Sequence, residues 1–292
     1  MKRLITALVL MPLVWAIIFL APQAVLVLVV AVVATLCFVE YVGIVRAHGL
    51  PMSYFAAVPG FLFPAAQALT FLARPDAGWT FYTPHTTVTE PPEWISFWTA
   101  SSLAGVILAI VVLSLLLRQA NLSLVLPAAG AAMIGVFYIY GPWWSAISLH
   151  RISPHWLLFA LAANWIGDSA AYFAGRSFGR NKLAPHISPG KSWEGAIAAW
   201  VATVLFAVTY LPQTVHVSYG AAAFLGAVVN PAGQIGDLVE SALKRGANLK
   251  DSGNLLPGHG GWLDRLDSSL FTLPMTYLSV AIMRSLFPLA MC

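Results

Sequence analysis

Charged side chains are scarce in this sequence, and their scarcity limits the kind of protein it can encode. Only 9% of the 292 residues are Asp, Glu, Lys or Arg, whereas 59% are hydrophobic. Repeated apolar runs of about 20 residues are long enough to cross a bilayer, and they are too long for the strands of a membrane barrel. The composition therefore excludes an ordinary soluble domain and predicts an all-α polytopic membrane protein.

Cysteine is nearly absent as well. Cys37 lies in an apolar run and Cys292 at the terminus, so the sequence has neither a disulfide framework nor a cysteine metal motif, and both are expected to be free thiols. The phosphate-binding loop GxxxxGK[ST] is also missing. The net charge of +4 does not indicate a nucleic-acid partner, because surplus Lys and Arg in a membrane protein usually mark its cytoplasmic loops.

Nine transmembrane helices are predicted from length and apolarity. They lie at about 4–20, 24–45, 52–73, 94–117, 122–140, 154–175, 195–211, 218–238 and 267–289. We interpret the first as an uncleaved helix and not as a signal peptide, because Pro22 and Gln23 make an awkward cleavage site and a second span follows at once.

The basic residues predict an orientation. With the N-terminus in the cytoplasm, 12 of the 15 Lys and Arg residues fall in cytoplasmic segments, as the positive-inside rule requires. Residues 1–150 are then a scaffold in contact with lipid, and residues 151–292 are a catalytic region with cytoplasmic loops 176–194 and 239–266. The compact chain suggests a bacterial inner membrane.

The acidic residues are concentrated in that second region. Seven of the 11 follow position 160: Asp168, Glu194, Asp237, Glu240, Asp251, Asp264 and Asp267. Asp168 falls inside a predicted span, where an ionisable residue is costly and by default a functional candidate. The alternative is that Asp168 pairs with Arg176 or Arg180 near the helix end.

Two pairs of carboxylates predict a metal site. Asp237 and Glu240 are three residues apart and share a helix face, as do Asp264 and Asp267. Adjacent carboxylates repel unless a cation lies between them, and Mg²⁺ prefers one or two carboxylates plus substrate phosphates. The loop between the pairs could set Asp237 and Asp264 facing each other across the ion. The alternative is a helix end that solvates its own charges.

Two glycine-containing polar segments predict phosphate binding. Around His259, Gly258, Gly260 and Gly261 would let backbone N–H groups approach an anion. A second segment, 175–195, carries the cations Arg176, Arg180, Lys182 and Lys191. It ends with Ser188 shortly before a helix restarts, where free N–H groups favour an anion. The alternative is a basic loop that only sets topology.

Residues 241–267 resemble the signature of the phosphatidate cytidylyltransferase family, also called CDP-diacylglycerol synthases. That signature reads S-x-aliphatic-K-R-x4-K-D-x-small-x2-aliphatic-P-x-H-G-G-aliphatic-x-D-R-aliphatic-D. The matching residues are Ser241, Lys244, Arg245, Lys250, Asp251, Gly253, Leu256, Pro257, His259, Gly260, Gly261, Asp264, Arg265 and Asp267. Trp262 stands where the family usually has an aliphatic residue, and Ser192 where Thr is more usual. The resemblance covers about residues 160–270.

The resemblance implies that CTP and phosphatidic acid react to give CDP-diacylglycerol and pyrophosphate at the cytoplasmic face. Asp237 and Asp264 are then the first candidates for Mg²⁺ ligands, with Asp267, Glu240, Asp251 and Asp168 as candidates for a second cation or for support. Phosphate contacts are expected from Lys244, Arg245, Lys250 and Arg265. His259, Gly260 and Gly261 would shape the nucleotide pocket, and Lys191, Ser188, Lys182 and Ser241 would bind substrate. A homodimer is also suggested.

Four alternatives are weighed against this function. A CTP-dependent lipid kinase for a polyprenol-type alcohol would need a similar site but would release CDP. A transporter would line an ion pathway with Asp168, Asp237 and Asp264, which the clustered Lys, Arg and Gly fit poorly. A silent paralogue would lack some polar residue of the signature, and none is missing. The characteristic run of the CDP-alcohol phosphotransferases, D-G-x2-A-R, is absent.

Overall fold

The structure is a computed structural model and describes residues 2–58, 61, 121–255 and 260–286. The predicted span 94–117, most of the span 52–73, and His259 lie outside these residues. The described chain is mostly helical. Its helices are α1 (Lys2–Leu20), α2 (Gln23–Ala47), α3 (Val125–Ile152), α4 (Pro154–Phe178), α5 (Trp193–Thr214), α6 (Tyr219–Gly246), α7 (Leu263–Leu266) and α8 (Ser269–Leu286), with short 3-10 turns at Tyr54–Ala57 and Leu122–Leu124.

Seven of the nine predicted spans coincide with one of these helices. Five stretches of the described chain are long and apolar enough to cross a membrane: Gln23–Ala47, Val125–Ile152, Pro154–Phe178, Trp193–Thr214 and Leu263–Arg284. The chain is therefore a polytopic helical membrane protein. Helix α6 forms where a span was predicted, but it is too polar to be among the five, and the total of nine stays a prediction.

Serine side chains set the starts of three helices around the candidate site. Ser153 accepts a hydrogen bond from the N–H of His155 and precedes Pro154, which suits a first helical turn. Ser192 caps α5 through the N–H of Gly195 at 3.2 Å, and Ser218 caps α6 in the same way. Each serine oxygen satisfies a backbone donor that the first turn leaves without a partner.

A small β-hairpin joins α4 to α5, which the all-α prediction omitted. Strands β1 (Lys182–Ala184) and β2 (Ser188–Ser192) pair in antiparallel fashion, with Lys182 opposite Ser192 and an irregularity before Ala184. The base of the hairpin is closed by Asn181, whose N–H groups donate to the Glu194 carboxylate at 2.9 and 3.1 Å. Strands of three and five residues are too short to reveal an alternating pattern in the sequence.

Helix α6 packs closely on its neighbours because glycines line its inner face. A Cβ on Gly233 would lie 2.7 Å from the Asn164 side chain on α4, and one on Gly236 would lie 2.8 Å from the backbone oxygen of Asp267. Buried amides join the same helices. Asn164 on α4 donates to Thr272 on α8 at 3.0 Å, as expected where no water can satisfy polar groups.

The chain divides into two compact units. One comprises Met1–Phe19 and Gly141–Cys292, and the other comprises Leu20–Tyr140. Inside the second unit, Tyr41 donates to the carbonyl of Ala131 and Tyr140 to that of Ala57. The candidate site described below lies entirely within the first unit. The predicted division of labour at residue 150 between scaffold and catalysis stays a prediction.

Candidate functional site

A cavity of about 170 Å³ opens between α4, the β-hairpin, α5 and α6. Its walls carry both apolar and polar side chains, and the polar ones come from four separate parts of the chain. They include Asp168, Lys191, Ser192, Gln234, Asp237 and Ser268. Because Lys191 belongs to the hairpin and Asp237 to α6, the fold brings the basic segment 175–195 against one of the predicted metal-binding carboxylates.

An ion pair crosses one wall of this cavity. The ammonium of Lys191 lies 2.5 Å from Oδ2 of Asp237, and the two side chains are 25% and 30% exposed. Ser241 donates a hydrogen bond to the other oxygen of Asp237 at 3.2 Å. We call Lys191 and Asp237 the cavity pair. Three residues predicted to bind metal or substrate thus meet at one point.

Asp168 faces the same cavity from α4. The alternative that Asp168 is held by Arg176 finds no support, since no ion pair joins these two in the described chain, and Arg176 donates to the hydroxyl of Tyr172 at 3.0 Å. Asp168, Asp237 and Asp267 lie within electrostatic range of one another. Three mutually repelling carboxylates make this end of the cavity attractive to a cation or to ammonium groups.

Neutral amides form another part of the cavity wall, and sequence reasoning missed them. Gln234 donates to Oδ1 of Asn230 at 2.5 Å and to the carbonyl of Ala196 at 3.1 Å. Asn230 in turn donates to Thr203 at 3.0 Å. The signal in the sequence was an amide side chain recurring in apolar helices, as in Asn164, Asn230 and Gln234. Its weakness is that buried amides also serve ordinary helix packing.

A second cluster lies where α6 ends. The Lys244 ammonium is 2.5 Å from Oε2 of Glu240 and 2.5 Å from Oδ1 of Asp264. Asp264 also accepts the backbone N–H groups of Ser252 at 2.9 Å and Gly261 at 2.8 Å. Residues 247–262 are called the signature loop. We call Glu240, Lys244 and Asp264 the loop cluster, because Asp264 ties two points of that loop, Ser252 and Gly261, to helix α6.

Burial dominates the pKa of Glu240 but not the pKa values of its two partners in the loop cluster. It raises the pKa of Glu240 to about 8, against the opposing influence of the neighbouring Lys244 ammonium. Burial alone would lower the pKa of Lys244, but hydrogen bonds to Asp264 and Glu240 outweigh it, so the pKa of Lys244 is raised. The lysine therefore stays charged at neutral pH, and Glu240 takes up a proton far more readily than an exposed glutamate.

The carboxylates predicted to share a metal each have a separate ammonium partner. Lys244 follows Asp237 by seven residues, which is about 10 Å along a helix axis. Among the described residues no group of three His, Cys, Asp or Glu side chains has metal-binding geometry. The oxygen donors of the cavity suit Mg²⁺ by their chemistry, and the magnesium site itself stays a prediction.

Several predicted phosphate-binding residues lie on the exterior. Lys182, Arg245, Lys250 and Arg265 are exposed, as is the metal candidate Asp251. Arg245 donates to the carbonyl of Leu249 at 3.1 Å, which shapes the first turn of the signature loop. Ser188 is partly buried at the start of β2. These side chains are not among those that line the cavity.

The two predicted phosphate-binding glycines contact Asp264 in this structure. Gly261 donates its N–H to that carboxylate. Gly260 has a φ of +79°, which favours glycine, and a Cβ there would lie 2.7 Å from Oδ2 of Asp264. The glycines therefore make room for the carboxylate that organises the loop, a role that the sequence alone did not reveal.

Comparisons with known proteins agree on one family. A model described as the cytidylyltransferase family matches residues 1–283. The phosphatidate cytidylyltransferase of Bacillus subtilis is 36% identical over 202 residues, covering 65% of this chain and 74% of that protein. A Staphylococcus epidermidis protein of the same name is 33% identical over 77% of this chain and 80% of its own length. One from Haemophilus influenzae is 41% identical over 40% of this chain and 43% of its own.

Proposed function

The chain belongs to the cytidylyltransferase family, and on that premise we propose that the site built around the cavity pair transfers a cytidylyl group from CTP to phosphatidate, while the loop cluster supports the signature loop. The products are pyrophosphate and CDP-diacylglycerol, and CDP-diacylglycerol is used in phospholipid biosynthesis. The observation that supports this assignment best is the match of a single family model to almost the whole chain, including the signature residues that converge on Asp264.

The reaction exchanges one phosphorus–oxygen bond for another. A phosphate oxygen of phosphatidate attacks the α-phosphorus of CTP, and the bond from that phosphorus to the oxygen bridging to the β-phosphate breaks. The electron pair leaves with pyrophosphate. No covalent enzyme intermediate is required. Both reactants are anions, so the protein must hold them together against repulsion and stabilise charge on the leaving group.

The cavity pair is the best-placed group for the lipid phosphate. Lys191 reaches the cavity wall from β2 and its ammonium is partly exposed, so it can contact a phosphate oxygen without a large movement. Asp237 neutralises Lys191 until an anion arrives, and Ser241 orients Asp237. The exposed cations Arg245, Lys250 and Arg265 are available to the triphosphate.

Magnesium would bind at Asp237, with Asp168 and Asp267 as neighbouring carboxylates. The donor set fits, because hard carboxylate oxygens are the ligands that Mg²⁺ prefers. When bound, the ion would neutralise phosphate charge and polarise the α-phosphorus. Asp264 fits less well, since its oxygens already accept two backbone N–H groups and an ammonium. A second cation remains an option at the remaining carboxylates.

The site would face the cytoplasm of a bacterial inner membrane. The relatives named above are bacterial. Segments 176–194 and 239–266 carry eight of the ten Lys and Arg residues that follow position 150, and by the positive-inside rule such segments belong on the cytoplasmic side. CTP is found there. A homodimer is a separate proposal that native mass spectrometry in detergent would test.

The assignment is tested by supplying purified protein with Mg²⁺, phosphatidic acid and CTP labelled at the α-phosphorus. Label should enter the lipid phase with the wild type and with Asp76→Asn, which changes an acid outside the predicted site, but not with Asp237→Asn. Release of CDP when an alcohol lipid is supplied, without label in lipid, would instead establish the kinase. If neither labelled lipid nor CDP forms, the result would favour the transporter or the silent paralogue.

A further inference from the structure

The loop cluster contains a carboxylate that is sealed from solvent. Glu240 is 0% exposed, and among the described residues neither of its carboxylate oxygens has a partner with hydrogen-bond geometry. A buried carboxylate without a full set of partners is destabilising. Glu240 lines no wall of the cavity, so contact with a lipid phosphate does not explain its position. Within the described part of the chain, its position is explained by the charged group with which it forms an ion pair.

That group is Lys244, one helical turn further along α6. Residues four apart on a helix share a face, and the Lys244 ammonium lies 2.5 Å from the Glu240 carboxylate. Lys244 is itself only 8% exposed. Its other contact is Asp264, again at 2.5 Å. A lysine side chain has four rotatable bonds and a point charge, so one partner alone would fix it poorly.

Asp264 passes the constraint to the signature loop. Its carboxylate accepts the backbone N–H groups of Ser252, in the first half of the loop, and of Gly261, near its end. A continuous series of contacts therefore runs from Glu240 through Lys244 and Asp264 to the loop backbone. Each member is at least half-buried, so solvent offers little alternative to these contacts.

We propose that Glu240 is a positioning residue that holds the Lys244 ammonium against Asp264 and thereby fixes the backbone of the signature loop at Ser252 and Gly261. It neither ligates a metal nor touches substrate, in contrast to the metal role that the sequence suggested. The consequence for catalysis rests on the proposed function: a loop fixed at these two points presents Lys250, Gly260 and Gly261 to the triphosphate in one arrangement, so that binding CTP costs less ordering.

Hydrogen exchange measured by mass spectrometry on the full chain in detergent tests the proposal without any assay of activity. Glu240→Leu should raise the exchange rate of peptides covering 248–262 about tenfold, because loss of a buried charged contact has an effect of that order. Glu240→Gln keeps an acceptor oxygen in the same place and should restore most of the protection. Glu40→Gln, which alters a buried acid in α2, should leave this loop unchanged.

A double-mutant comparison separates positioning from general stabilisation. If Glu240 acts through Lys244, then Glu240→Leu adds nothing to the exchange caused by Lys244→Met, because the single contact is already lost. Additive effects, or faster exchange throughout α6 instead of the loop, would overturn the proposal. If Glu240→Leu yields no folded protein, Glu240→Met fills the same space with a flexible side chain and takes its place.

Kinetics then connect the loop to the reaction. Glu240→Leu should raise the KM for CTP about tenfold and leave the KM for phosphatidate within about twofold, since only the nucleotide depends on the loop. Equal changes in both would count against a positioning role. If the wild type forms no CDP-diacylglycerol, the proposed function fails, whereas the exchange measurements still decide the role of Glu240.

Discussion

The cavity pair and the loop cluster use the same chemistry in different surroundings. In each, a lysine ammonium lies 2.5 Å from an aspartate. Lys191 and Asp237 are each about one-quarter exposed, whereas the side chains of Lys244 and Asp264 are 11% exposed and Asp264 also binds backbone. An accessible pair can exchange partners with a ligand, and a buried one costs several kcal/mol to break. We infer that the cavity pair binds substrate and that the loop cluster stabilises the structure.

The largest effect on activity is expected at the cavity pair. Lys191→Met should lower kcat/KM by about 10²–10³, the range expected when a preorganised charge contact to a reacting phosphate is removed. The melting temperature in detergent should stay within about 2 °C of wild type, because a partly exposed ion pair adds little stability. Initial rates of CDP-diacylglycerol formation and a thermal unfolding scan measure the two quantities.

A large drop in melting temperature with Lys191→Met would contradict the difference between the two clusters, since it would mean that the cavity pair also stabilises the fold. Lys191→Arg sharpens the test. It keeps the charge but changes the shape of the donor group, so partial recovery of rate would show that charge matters more than geometry at this position.

Asp264→Asn should, unlike Lys191→Met, lower the stability of the protein as well as its activity. It removes the charge that faces Lys244 while Glu240 remains, and it weakens the acceptor for two backbone N–H groups. Breaking a buried pair in this way typically costs about 3–5 kcal/mol. We expect a clear fall in melting temperature together with loss of activity, and faster proteolysis within the signature loop. Loss of activity at unchanged stability would instead support a direct metal role for Asp264.

A third change acts on the helix that carries both clusters. Gly236→Ala would place a methyl group 2.7 Å from Phe271 and 2.8 Å from the backbone oxygen of Asp267. Such overpacking usually costs about 1–3 kcal/mol. Gly220→Ala is the matched control, because nothing lies within 4 Å of its Cβ in the first turn of the same helix. The control should be neutral or slightly stabilising, and similar losses for both would contradict the close packing at Gly236.

The sequence predicts the helices well but the contacts of the site only in part. Apolar runs determine where the spans lie, and the observed α4 and α5 differ from the predicted 154–175 and 195–211 by a few residues at their ends. The convergence of Lys191 on Asp237 could not be predicted, because it depends on a hairpin too short to leave a periodic signal. The spacing of Glu240 and Lys244 permits an ion pair, yet only packing shows that the pair is buried.

The smallest expected effect is the pH dependence of stability caused by the proton on Glu240. It distinguishes the loop cluster from the cavity pair, because the cavity pair contains no comparably buried acid. Its pKa is raised to about 8 in the folded protein, against an ordinary glutamate value of about 4.3. The folded state therefore binds the proton more tightly than the unfolded state. The proton on Glu240 therefore makes its full contribution to the free energy of unfolding below about pH 4.3, and this contribution is lost as the pH rises toward 8.

Between pH 6 and 7 the wild type should lose about 1 kcal/mol of unfolding free energy relative to Glu240→Gln, which cannot titrate. Thermal unfolding of both proteins at a series of pH values measures the difference. Parallel curves would mean that Glu240 is ionised throughout and paired fully with Lys244. In that case the loop cluster would be an ordinary buried salt bridge, and its difference from the cavity pair would be one of exposure alone.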